Sequence, residues 1–426
     1  MRGRNCALWP LILLLMFNLA AAFAGGQKEG KPVELSFSFW GWGNEIELKQ
    51  KIIQAFEASH PLVKIKASFT DGETYPAKLQ TYFSSNTAPD VISIAGDILS
   101  EFVAQGVFAD LSGYLQKDKL LSSTWPKVSV DAFRYKNTIV ATPFVFKIPA
   151  IVYNKSLFDK AGLAYPKDDW TEDQLLDLAG KLTSGEGVNK VFGFNLSFWP
   201  YYITRGLLGQ HYYDTQNRKM NAVGNEGFRH AMKLFADMIA TYGVAPDDTA
   251  AKTIGGGFET GKFAMALTGT FDMPTYQKVI GDKFPWDVVM LPTNSQFGPW
   301  KGNLFVDGFG ISAKSEHKDQ AWQFIRWMST DLSSQKIASG IGIPALSSYA
   351  NSPEYLGDFP EGWKQYNKKA FVNMLERSFI WQTTGVWAKI NDELDNQFKM
   401  LVAGKISVEQ ALSNMDQKGA EYLKSN

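Results

Sequence analysis

The chain has 426 residues, 45% of them hydrophobic, with 43 basic and 43 acidic side chains. That length suggests two or three domains with substantial cores. The balanced charge, with no clustered Lys/Arg run, argues against a nucleic-acid partner. Aromatic residues make up 14% of the chain, and such rings both fill cores and offer flat faces for stacking.

The first 24 residues read as a secretory signal peptide. Arg2 and Arg4 precede the apolar run Leu8–Leu15, and Ala22-Phe23-Ala24 supplies a small-x-small cleavage pattern. The apolar run falls short of the roughly 20 residues a spanning helix requires. Cys6, the single cysteine, precedes that run and leaves with the leader. The mature chain then has no thiol, no disulfide and no lipid-bearing cysteine, and a periplasmic, untethered location is expected.

Beyond a polar leader, Val33–Phe39 alternates as a strand. Ile46, Ile52, Ile53 and Phe56 set a helix over 45–59 that His60-Pro61 stops. Val63–Ala67 alternates again, 76–83 reads as a helix, and Asp90–Ile94 as a buried strand. This is the βαβ rhythm of an open, largely parallel α/β sheet, which binds ligands beyond the carboxyl ends of its strands. The loops after Phe39, Phe69 and Ile94 are therefore the places to look. A second unit follows, with strands at 139–146, 150–153, 263–267, 287–292 and 308–312 and helices at 173–182 and 226–241. The last hundred residues are mainly helical.

The ordered motifs resemble one family. They are Phe39-Trp40-Gly41-Trp42, Pro89-Asp90-Val91-Ile92, Thr142-Pro143-Phe144 and Val152-Tyr153-Asn154-Lys155. Further along come Phe258–Met265, Gly269-Thr270-Phe271, Val289-Met290-Leu291-Pro292 and Ala403–Ser407 with Ala411-Leu412. Together they are similar to the extracellular solute-binding proteins (family 1, maltose-binding-protein-like) that serve ATP-binding-cassette sugar importers. The resemblance implies a periplasmic-binding-protein-like α/β fold of two lobes with discontinuous sequence. Residues 25–141 plus about 293–343 would form one lobe, and about 144–290 plus 344–426 the other. Hinges would fall near Thr142-Pro143, Met290–Pro292 and Gly342–Pro344, and the lobes would close on ligand by hinge motion. The implied partners are a carbohydrate and a membrane permease, with a monomeric chain, no cofactor, no metal and no catalysis.

A sugar presents hydroxyl edges and apolar ring faces, so its site needs carboxylates or amides beside aromatic rings. Trp40 and Trp42 flank Gly41 at the first strand end, where both are placed to line the crevice, with the alternative that one of them packs beneath the loop. Asn44 and Glu45 stand where the family often places polar contacts, although Glu45 also suits a helix start. Asp97 takes the place of a family ligand carboxylate, with helix capping as the alternative; Ile94 occupies a family aromatic position. The second lobe offers Trp199 and Tyr201 within an aromatic cluster, and Phe271 at a position usually Trp in the family. Asp272 stands beside it, and Trp387 lies in a late aromatic segment. Asp307, at the turn Val306–Phe309, is a ligand contact or part of a buried ion pair.

Enzyme signatures are weak. Gly256–Lys262 imitates a phosphate-binding loop, but Phe263 replaces the Ser/Thr that would hold magnesium. The four His show no metal-ligand spacing. A carboxylate-pair glycoside hydrolase is the enzyme alternative. A glycerol phosphodiester or another small polar solute is the alternative ligand, although phosphate calls for converging Arg or Lys.

Overall fold

The computed structural model describes residues 32–120, 124–196, 206–208, 211–214, 219–380 and 386–424. The sheet strands, in chain order, are β1 (Val33–Trp40), β2 (Val63–Thr70), β3 (Val91–Ala95), β4 (Ala141–Lys147) and β5 (Pro149–Asn154). They continue with β6 (Phe192–Asn195), β7 (Phe263–Gly269), β8 (Trp286–Val289), β9 (Phe305–Ile311) and β10 (Ile343–Pro344). The helices that matter below are α1 (Asn44–Ser59), α2 (Tyr75–Ser85), α3 (Glu172–Leu182), α4 (Glu226–Ala240), α5 (Lys318–Thr330), α6 (Lys368–Met374), α7 (Trp387–Val402) and α8 (Val408–Lys424).

A six-stranded sheet has the order β10-β4-β9-β3-β1-β2, and a four-stranded sheet the order β8-β5-β7-β6. In the first, β1 is parallel to β2 and β3, while β9 runs antiparallel to β3 and β4. The alternating segments at β1 and β2 and the buried run at β3 fold as strands, with β3 almost wholly buried. The apolar stripe of α1 buries Ile52, Ile53 and Phe56, and the Phe56 ring meets Phe324 of α5 with centroids 4.8 Å apart. In the second lobe, α4 packs with α7 and α8. The segment that imitates a phosphate loop is a short 3-10 turn at Phe258–Thr260 leading into β7.

The chain changes sheets at Ile148, between β4 and β5. The expected break at Thr142-Pro143 is therefore corrected: both residues lie inside the first sheet. Proline reads as an interruption, yet the register shifts beside it: Asp307 pairs with Val145 and Gly308 with Pro143, which leaves Phe144 of β4 as the extra residue. A bulge there relieves the ladder of the N–H that proline lacks. Gly308 fits this crowded point because a Cβ would come within 2.6 Å of the Thr142 carbonyl. The expected border at 343/344 also moves, since Ile343 and Pro344 still pair with β4. The next helix to meet the second sheet is α6, which packs on β5 and β8. Between β8 and β9, Thr293–Asn294 and Gly298–Pro299 form a small hairpin, and Gly302–Asn303 then runs beside Ser378–Phe379. Among the described residues, no helix is long and apolar enough to cross a membrane.

Candidate functional site

The carboxyl ends of β1, β2 and β3, the end of β4 and the start of β9 converge on a cavity of about 620 Å³ between the lobes. That volume lies within the roughly 300–1,000 Å³ typical of ligand pockets. Trp42 is 51% exposed; its indole lies against Gly72 in the loop after β2, where no Cβ fits. Trp40 is 5% exposed and tilts against Tyr75, with ring centroids 5.1 Å apart. It supports the wall from beneath, as the packing alternative anticipated. Tyr75 is fixed by donating to the Ser38 and Ser93 carbonyls at 2.8 and 3.1 Å, bridging β1 and β3 where they splay. Phe271, just after β7, brings an aromatic face from the other lobe, and Phe305 adds another near the crossing.

The polar floor is a network of charges. Lys147 donates to Glu45 Oε1 at 2.8 Å, and its Nζ lies 3.5 Å from Asp307 Oδ2. Burial alone would lower the Lys147 pKa, but Asp307 and Glu45 together hold it above the usual lysine value. Beneath them Lys49 is 2% exposed and donates to the Trp40 carbonyl at 2.6 Å. Burial pulls its pKa down, while Asp307 and Glu45 pull the other way. Asp97 lines the same cavity.

The cavity thus gathers Trp40, Trp42, Glu45, Asp97, Phe271 and Asp307 from the sequence-derived set. Its walls, among the described residues, leave out Asn44, Asp272 and Trp387. Asn44 opens α1 and is exposed. Trp387 opens α7 in the second lobe, 7% exposed and stacked near Tyr212. Asp307 lies within β9 rather than in a turn. Trp199 and Tyr201 fall outside the described residues, as does the leader through Ala24. Sequence reasoning missed Lys147, Lys49 and Phe305. Lys49 shares the apolar stripe of Ile52, Ile53 and Phe56, a detectable sign of a buried lysine. Lys147 carries no such sign, because lysine after an apolar run reads as a solvated strand end.

Asp272 instead secures its own turn, accepting from Thr268 Oγ1 at 2.9 Å and from the Gly269 N–H at 3.2 Å. Burial raises its pKa to about 6. A raised carboxylate pKa destabilises the fold above about pH 6, and that penalty disappears below the ordinary value of 3.8. Asp272→Asn keeps an acceptor for both donors. It should raise stability at pH 7.5 by about 1–2 kcal/mol, with the gain vanishing near pH 4 in denaturant titrations.

A gap of about 710 Å³ lies between Pro126–Ala132 and the Val372–Ile380 stretch. None of its described lining residues is aromatic, so the smaller cavity is the better candidate for a ring-shaped solute. Among the described residues, no group of three or more His, Cys, Asp or Glu could hold a metal ion.

The family described as bacterial extracellular solute-binding protein matches residues 42–331. An uncharacterized lipoprotein of Streptomyces antibioticus is 24% identical, over 85% of this chain and 80% of its own length. The maltotriose-binding protein of Pyrococcus abyssi is 24% identical, over 74% and 67% respectively. In structure, an ABC substrate-binding protein of Listeria monocytogenes, solved with cycloalternan, aligns with a TM-score of 0.73 at 25% identity. That alignment covers 92% of this chain and 100% of the Listeria chain.

Proposed function

Because the chain belongs to the bacterial extracellular solute-binding protein family, we propose that it is the substrate-binding component of an ATP-binding-cassette importer. It takes a carbohydrate between its lobes, closes by a hinge motion and hands the sugar to a membrane permease. The observation that carries the reading is the inter-lobe cavity, where Trp42 and Phe271 face a floor holding Glu45, Asp97 and Asp307. Aromatic faces suit the apolar sides of a sugar ring, and carboxylates accept its hydroxyls. Relatives described as binding maltotriose and cycloalternan support that class.

The lobes would divide by sheet membership, residues up to Lys147 and about 305–357 in one and the remainder in the other. Hinge movement would fall at Ile148, at 301–304 and between 358 and 367. Export would use the leader ending at Ala24, and the position of Cys6 before the apolar run supports a periplasmic location for the mature chain. A phosphodiester ligand is disfavoured, because Arg is absent from the described walls and Lys147 is already paired. The glycosidase alternative gains nothing from Asp272, whose raised carboxyl is occupied by Thr268 and Gly269.

The test is a thermal-shift screen of mono- and oligosaccharides, with recovery of the ligand afterwards. At 100 times its Kd a bound sugar should add about 2.7 kcal/mol of stability. The sugar should be recovered unchanged at one per chain. No shift with any sugar removes the carbohydrate reading, and an altered sugar points to the hydrolase.

A further inference from the structure

Two lysines beneath a cavity would ordinarily suggest an anionic ligand. Their partners argue otherwise. Lys147 sits at the last residue of β4, next to the crossing at Ile148, with only 11% of its side chain exposed. Its ammonium is shared by Glu45 of α1 and Asp307 of β9, at 2.8 and 3.5 Å. It also lies 5.7 Å from the centroid of the Trp42 ring. Lys49 is turned to the Trp40 carbonyl and lies over the Trp40 and Phe39 rings. Two cations therefore face two anions in the floor, and Asp97 adds a third carboxylate to the wall. Glu45 Oε2 is buried without a hydrogen-bond partner among the described residues, so the floor retains an acceptor that needs a donor.

We propose that Lys147 is a positioning and specificity-determining residue. It anchors the Glu45 and Asp307 carboxylates so that they meet hydroxyl donors, and by spending its charge on them makes the cavity refuse anionic sugars. This rests on the carbohydrate reading and narrows it to uncharged saccharides. A carboxylate or phosphate brought to this floor meets three acids and, among the described residues, no uncommitted lysine. A neutral hydroxyl donates to a carboxylate of this floor without displacing an ion pair. Placing Lys147 at the crossing also ties ligand contact to the segment where the lobes join.

The test uses the full mature chain and matched probes: glucose with glucuronate, galactose with galacturonate, and linked dimers and trimers of each. Wild-type protein should bind neutral members only, by calorimetry. Lys147→Met should weaken the neutral ligand at least tenfold, and Lys147→Arg should restore most of that affinity. Glu45→Gln, which removes one of the ammonium's two carboxylate partners, should shift the neutral-to-acidic ratio toward the uronate. Thermal melts of Lys147→Arg and Glu45→Gln keep the test informative if Lys147→Met misfolds. Uronate binding as tight as that of the neutral sugar overturns the proposal but leaves sugar capture intact. So does unchanged neutral affinity in a folded Lys147→Met. No binding by any member sinks the carbohydrate reading, and this proposal with it.

Discussion

Glu172→Ala should lower unfolding stability by about 3–5 kcal/mol, the cost of removing one partner from a buried, hydrogen-bonded charge. Glu172, in the first turn of α3, is 4% exposed. Its Oε1 receives His230 Nε2 at 2.7 Å and Asn294 Nδ2 at 3.0 Å, and its Oε2 receives Trp300 Nε1 at 2.8 Å. Trp300 is wholly buried and Asn294 nearly so, so both donors would be stranded away from water. The three donors come from α4 and from either end of the hairpin at 293–299. The carboxylate thus staples the segment returning toward β9 onto the second lobe.

The same contact carries a pH signature. Burial alone would raise the Glu172 pKa, but the bonds from His230, Trp300 and Asn294 hold it below its ordinary value of 4.5. Its contribution is therefore complete above pH 4.5 and is lost as pH falls through the lower, folded value. Denaturant midpoints measured from pH 7 to pH 3 should drop less steeply in Glu172→Gln than in the wild type. Equal slopes would mean that the carboxylate is not paired as drawn.

How much of this was legible in the sequence depended on range. Strands β1 and β2 and helix α1 announce themselves through local period and β3 through its apolar run, and the loops after Phe39, Phe69 and Ile94 follow from strand polarity alone. The crossing was misplaced because Pro143 looks like a break, and only the partner strand reveals the bulge that accommodates it. The charge network was invisible for a related reason. Glu45 and Lys147 lie 102 positions apart, so nothing local to either marks them as partners. Asp272 failed in the opposite direction: a carboxylate beside an aromatic at a strand end suggests a ligand, yet it accepts from Thr268 and Gly269, four and three residues before it. Local chemistry can answer for such a residue before any ligand does.

Trp42 is the residue on which ligand affinity should depend most. With half its surface open, its indole contributes little to the core, and Trp42→Ala should leave the melting temperature nearly unchanged. Loss of a stacking face should weaken saccharide binding by about 1–3 kcal/mol, roughly 5- to 150-fold in Kd. Gly72 provides an independent route to the same outcome. A side chain there would overlap the Trp42 indole, so Gly72→Val should displace the ring and reproduce the affinity loss without deleting it. Trp40 supplies the contrast, since it is buried against Tyr75 and Lys49. Trp40→Ala should cost about 3–5 kcal/mol of stability and disturb binding only through the wall it supports. Calorimetric titration beside thermal melts separates the two behaviours. If Trp42→Ala and Gly72→Val both bind sugar as the wild type does, the ring is not a ligand wall, and the cavity must grip its solute through Phe271 and the carboxylate floor.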